Sequence, residues 1–91
     1  MNLRYRRRAL EDLRSIETYY LARSPDAVGK VLADINTAVG LVMDFPGAGK
    51  AVGSRGLRRV LTRRYRYMIA YRARRDLVEV VGIFRYQNCD A

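Results

Sequence analysis

The sequence predicts an α+β fold of order β-α-α-β-β-β, with a helical hairpin packed on one face of an antiparallel sheet. Three observations carry this expectation. Apolar residues recur at three- and four-residue steps over two stretches of the first half. A turn-rich segment interrupts the chain near its middle. The second half breaks into three strand-length runs rich in β-branched, aromatic and Leu residues.

Arg4 to Arg8 alternate as a short strand, with Leu3 and Tyr5 on one face and Arg4 and Arg6 on the other. From Ala9 the period changes. Leu10, Leu13, Ile16, Tyr20 and Leu21 then form the apolar stripe of a helix ending near Arg23. In "SPDA", Ser24 is a candidate cap, Pro25 suits a first helical position and Asp26 suits the positive end of the helix dipole. A second helix follows, with Val28, Val31, Leu32, Ile35, Ala38, Val39 and Val42 as its stripe, and "DFPG" at 44–47 stops it. So short a break between helices predicts an antiparallel hairpin.

"GAGKAVGSRG", 47–56, has four glycines and no regular period, so it is expected to be a loop. Its Gly49-Lys50 pair does not make a phosphate loop. The glycine that pattern requires five positions earlier is Asp44, the Ser or Thr after the lysine is Ala51, and a helix precedes the segment where a strand is needed. Leu57–Thr62, Tyr67–Arg72 and Leu77–Tyr86 are the expected strands, and connections this short require an antiparallel meander.

The 91 residues fit one domain, and a chain of this size buries only about 60 to 65% of its unfolded surface, which favours help from a partner. Eighteen Lys and Arg against nine Asp and Glu leave a formal charge of +9, which attracts nucleic acid, anionic surfaces or acidic proteins. Sixteen of the eighteen are Arg, the residue suited to planar and bidentate contacts. There is no His, which removes the usual proton shuttle and the commonest metal ligand. The lone Cys89 permits no intrachain disulfide and no thiolate cluster, so no metal or cofactor is expected. With no secretory leader pattern and no apolar run of membrane-spanning length, a cytoplasmic protein without membrane contact is expected.

Taken in order, "ALEDLRSIETYYLARSPDAVGKVLADI", "LVMDFPGAGK" and "GLRRVLTRRYRYMIAYRARRDLVEVVGIFRY" resemble the RelE/ParE superfamily, the toxins of type II toxin-antitoxin pairs, across nearly the whole chain. The long hairpin and the course of the last strands are more similar to the ParE branch than to the RelE branch. The resemblance implies a toxin that poisons DNA gyrase without chemistry of its own and is neutralised by a cognate acidic antitoxin in a hetero-oligomer, with a role in plasmid stabilisation. The chain departs from common ParE patterns at its end. It reads "FRYQNCDA", with Arg85 near the position where a His is usual.

An mRNA-cleaving toxin of RelE type is the alternative, and would have to activate a ribose hydroxyl and stabilise phosphorane charge. Arginine stabilises such charge but is a poor base. Arg55, Arg58, Arg85 and Tyr86 are the candidate catalytic groups, with Tyr86 beside Arg85 resembling the terminal tyrosine of some RelE-like nucleases. A second alternative is a non-toxic basic module that binds nucleic acid. A stacking platform needs exposed aromatic residues in mid-strand, whereas Met68, Ile69 and Ala70 occupy the middle of "YRYMIAYR". Arginines gather instead at strand ends. Arg58, Arg59, Arg63, Arg64, Arg66 and Arg72 are therefore the expected partner-binding residues, paired with carboxylates of an acidic antitoxin tail. Arg58 and Arg59 must point to opposite faces, so one of them lines the sheet surface turned away from the helices, together with Arg55.

Overall fold

The computed structural model describes residues 1–53 and 55–85. They form β1 (Asn2–Tyr5), α1 (Arg7–Arg23), a 3-10 turn (Pro25–Ala27), α2 (Val28–Asp44), β2 (Lys50–Val52), β3 (Leu57–Leu61), β4 (Tyr67–Arg74) and β5 (Leu77–Arg85). The α+β class and the helical hairpin on one sheet face are as the sequence predicts. The sheet, however, has five strands in the order β1-β5-β4-β3-β2 and is mixed. The meander β2 to β5 is antiparallel, and β1 pairs parallel to β5, from Asn2 opposite Leu77 to Tyr5 opposite Val80.

Three local expectations change. The first strand is Asn2–Tyr5, not 4–8, because α1 already begins at Arg7. Ser24 makes no side-chain cap; Pro25 opens the 3-10 turn instead, and α2 starts behind it. The expected loop 47–56 contains β2, where Lys50, Ala51 and Val52 pair with Arg59, Arg58 and Leu57. These three residues are all exposed, so the strand exists through its ladder with β3 and not through burial of its side chains.

One core holds the layers together. Ala9 and Ile16 of α1, and Val31, Ile35 and Val39 of α2, pack on Tyr67, Ile69, Val80 and Ile83 of the two central strands. Burial at Val31, Ile35, Val39 and Val42 follows the predicted stripe of α2. In α1 the buried line runs through Ala9, Leu13, Ile16 and Tyr20, while Leu10 and Leu21 are 49% and 54% exposed. Each of the two lies beside a core position and is thereby turned about 100° off the stripe. Phe45 leaves the helical region at φ −135° and ψ 81°, consistent with the steric bias that Pro46 places on the residue before it. No described helix is long and apolar enough to cross a membrane.

A bulge in β5 sets the position of the residues that matter most below. Ala70 pairs with Gly82 and Tyr71 with Val80, so Val81 has no opposite number. Before the bulge Val78 and Val80 face the helices; after it Ile83 does, and Arg85 two residues on follows it. Without the extra residue this end of the strand would turn its other face inward.

Candidate functional site

The candidate arginines fall into separate places. Arg58 faces the helix side near the far end of the sheet. Its Nη1 donates to the Gly49 carbonyl at 2.7 Å and also lies 3.5 Å from that of Gly47, which fastens the loop after α2. Arg59 is the one that faces away from the helices, where its Nη1 lies 3.7 Å from the Met68 sulfur and covers that side chain. Arg72 is on the same open face, its Nε 3.4 Å from the carbonyl of exposed Arg55. Arg63, Arg64 and Arg66 are exposed around the β3–β4 turn, with the Arg64 guanidinium 5.7 Å from the Tyr65 ring centre and Arg66 at φ 59°. Arg85 stands opposite Tyr67, and Arg58 opposite Tyr71, so the two are four residues apart along β4, roughly 13 Å. Arg55, Arg58 and Arg85 are thus not gathered into one constellation, and Tyr86 lies outside the described residues.

A different group surrounds Arg85. Its guanidinium interacts with the hydroxyl of Tyr67 and then with those of Tyr19 and Tyr20, and lies 4.5 Å from the centre of the Tyr19 ring. Arg23 approaches the same ring at 4.0 Å. Tyr20 packs edge-on against both Tyr19 and Tyr65, at 5.1 and 5.9 Å between ring centres. Two cations and four tyrosines therefore meet where the end of α1 reaches the end of β5. Neither Arg23 nor Arg85 forms an ion pair with a carboxylate among the described residues. Hydroxyl oxygens supply acceptors but no full negative charge, which leaves the positive field of the two guanidiniums open to a ligand.

The electrostatics of the tyrosines follow from these contacts. The hydrogen bond and charge of Arg85, helped by Arg23, lower the pKa of Tyr19. Burial raises that of Tyr67, against the pull of Arg85, and burial raises that of Tyr5 as well. Arg85, stabilised first by Tyr67, holds its proton more firmly than a free arginine. In an ultraviolet tyrosinate titration, one step is expected below the ordinary tyrosine range, Tyr19→Phe to remove it, and Arg85→Gln to move it upward; an unmoved step in Arg85→Gln would refute the contact. Because Tyr5 and Tyr67 have raised pKa values in the fold, their contribution to stability is complete below the ordinary tyrosine range. It is lost as pH rises through their folded values.

The crevice beside Arg85 measures about 400 Å³ and runs between α1 and β5, with Ile16, Ile83, Phe84 and Tyr67 among its walls. It exists because β1 pairs only with Leu77–Val80, which leaves the remaining edge of β5 without a neighbouring strand among the described residues. Asp12 partly closes that edge: its Oδ2 accepts from the Ile83 N–H at 2.9 Å, and its Oδ1 pairs with Arg8 at 3.5 Å. Sequence reasoning singled out Arg85 but missed its setting. The available signal was the Tyr19-Tyr20 pair, three and four residues after Ile16 and so on the same side of α1 as that core residue.

With this geometry established, comparison with known proteins identifies the family. The profile described as the ParE toxin of type II toxin-antitoxin system, parDE, matches residues 3–87. The chain belongs to the ParE toxin family. A Sinorhizobium fredii (strain NBRC 101917 / NGR234) protein named as a candidate toxin, Y4kP, is 33% identical over 81 residues, covering 89% of this chain and 83% of the relative. Among solved structures, one titled as the chromosomal ParDE TA system from P. aeruginosa superposes with a TM-score of 0.81 at 25% identity, over 93% of this chain and 95% of that one. The intact E. coli RelBE toxin-antitoxin complex shares the fold at a TM-score of 0.63 and 17% identity, over 91% and 93% of the two chains. This ParE-family toxin thus keeps the fold shared with RelBE, and carries at the end of β5 an arginine ringed by tyrosines.

Proposed function

We propose that this ParE-family toxin acts by binding and poisoning DNA gyrase, without cleaving a bond itself, and is held inactive by a cognate acidic antitoxin. The observation that carries this reading, beyond family membership, is that Glu79, Asp12, Asp34 and Tyr71, ionisable groups packed at the sheet, are already engaged. The Glu79 carboxylate pairs with Arg6 at 3.3 Å, and Asp12 is held by Arg8 and the Ile83 amide. Asp34 accepts from the backbone amides of Arg64 and Tyr65, and the Tyr71 hydroxyl is committed to Gly49 and Pro46. A chain with no His and with these acceptors already bonded is better equipped to bind than to transfer protons. The antitoxin part of the reading draws on the charge of +9 and on the arginines that edge the sheet, which favour rapid encounter with an acidic segment.

Purified toxin is expected to inhibit gyrase supercoiling and to accumulate the gyrase–DNA cleavage complex, and its induction is expected to arrest growth. Co-expression of a cognate acidic antitoxin should relieve the arrest. Supercoiling unchanged at excess toxin, with new 5′ ends on cellular mRNA after induction, would replace this reading with the ribonuclease one.

A further inference from the structure

The geometry points to the α1–β5 crevice as the seat of an acidic peptide segment, with one carboxylate on Arg85 and a neighbouring apolar side chain on the floor formed by Ile16, Ile83 and Phe84. It rests on the antitoxin reading above and names the part of the surface that would anchor such a partner. Three features support the assignment. Arg85 is half-buried and oriented by tyrosine hydroxyls, so it meets a ligand without first losing side-chain freedom. Arg23, which approaches the same Tyr19 ring at 4.0 Å, adds a second positive charge, and neither cation has a carboxylate partner among the described residues. The floor is apolar and the space of about 400 Å³ accepts one or two side chains, not a folded domain.

Acidic peptide chemistry is favoured over a nucleic-acid strand by what lies in the crevice. A strand of phosphates needs a row of available cations, whereas α1 presents Asp12 and Ser15 along the wall, Arg8 over the Phe84 ring is already paired with Asp12, and the two cations without a carboxylate partner among the described residues, Arg23 and Arg85, stand together at the Tyr19 end. One carboxylate, with apolar groups behind it, matches that distribution. Tyr19, whose ring both guanidiniums approach, acts here as a positioning residue that holds the two cations at the mouth.

The test measures binding to the full chain of a fluorescein-labelled peptide of alternating Leu and Glu, a copy with Gln in place of Glu, and an oligouridylate of matched charge. The Leu-Glu peptide is expected to bind, and Arg85→Gln to weaken it by about 10- to 100-fold, the effect of losing one charge-assisted hydrogen bond. Arg74→Gln, which removes an equal charge at the opposite end of the sheet, should leave affinity within about twofold if attraction is not merely to net charge. Tyr19→Ala alters an accessible side chain and provides a second reading if Arg85→Gln fails to fold, with thermal transitions recorded for each variant. Equal weakening by Arg74→Gln, unchanged binding in Arg85→Gln, or Arg85-dependent binding of the oligouridylate alone would each overturn the proposal. So would peptide binding that appears only after residues 86–91 are removed, since the chain's own tail would then be the occupant. Arg85-dependent binding without growth arrest would retain the crevice and refute the toxic activity; arrest with no such binding would do the reverse.

Discussion

Replacing Gly49 by Ala is expected to lower the unfolding free energy by about 3 kcal/mol, at the upper end of the range for overpacked interiors. A Cβ on Gly49 would stand 2.4 Å from the Tyr71 hydroxyl oxygen, 2.7 Å from its ring and 2.9 Å from the Arg59 carbonyl. Tyr71 cannot yield easily. It is fully buried, and its hydroxyl accepts from the Gly49 amide at 2.8 Å while donating to the Pro46 carbonyl at 2.8 Å. Displacing it strands the buried Gly49 amide and the partly buried Pro46 carbonyl as well as compressing the ring, and a buried unsatisfied group costs about 1 to 3 kcal/mol. For a domain of this size every kcal/mol lowers the melting temperature by about 4 to 8 °C. Tyr71→Phe should cost less, about 1 to 3 kcal/mol, because it loses the two hydrogen bonds without the clash. The double variant should be more stable than the sum of the single effects predicts, since both substitutions disrupt the same hydroxyl. Strict additivity in urea titrations would show that the hydroxyl is not the shared element.

That contact also marks the boundary of what the sequence discloses. The stripe of α2 was readable because burial at Val31, Ile35, Val39 and Val42 depends on local periodicity alone. The three long strands were readable for the same reason, within a residue or two at their ends. Gly49, by contrast, reads as one more glycine in a loop until Tyr71, twenty-two positions later, is placed against it. β2 is hidden likewise, because Lys50–Val52 has no burial pattern of its own. The parallel pairing of β1 with β5 joins residues about seventy-five positions apart, and no local rule specifies it.

The same distinction applies at the candidate site. Arg85 could be named from its place at the end of the last strand, but its orientation depends on the Val81 bulge, and its setting on Tyr19 and Tyr20 from the other half of the chain. Arg58 reads as a cation available to a partner or a phosphate and is in fact tied to the carbonyl of Gly49. An arginine run in a sequence fixes the charge available but not its direction. Direction comes from strand alternation, bulges and partners distant in the chain.

Asp34→Ala is expected to destabilise the toxin by about 2 to 3 kcal/mol and to loosen the turn that carries Arg63, Arg64 and Arg66. Asp34 lies on α2, yet its carboxylate accepts from the amide of Tyr65 at 2.7 Å and from that of Arg64 at 3.2 and 3.3 Å. These bonds bridge helix and turn across some thirty residues of chain, and bonds to a charged acceptor contribute about 1.5 to 3 kcal/mol. Tyr65 also ties the turn to the core, packing edge-on against Tyr20. Thr62 closes its base, donating its amide to the Tyr67 carbonyl and accepting from the Tyr67 amide on Oγ1, while Arg66 holds a left-handed conformation that non-glycine residues seldom adopt. Removing the carboxylate releases two amides and weakens the constraint on that conformation. Hydrogen exchange at Arg64 and Tyr65 should accelerate more than at Ile69, which lies in the core of the same sheet. Asp34→Asn, which keeps one acceptor oxygen, should retain part of the protection. If exchange rises equally at Ile69, the loss is global and the turn is not separately pinned; if it rises nowhere, the helix-to-turn bridge contributes nothing to the fold.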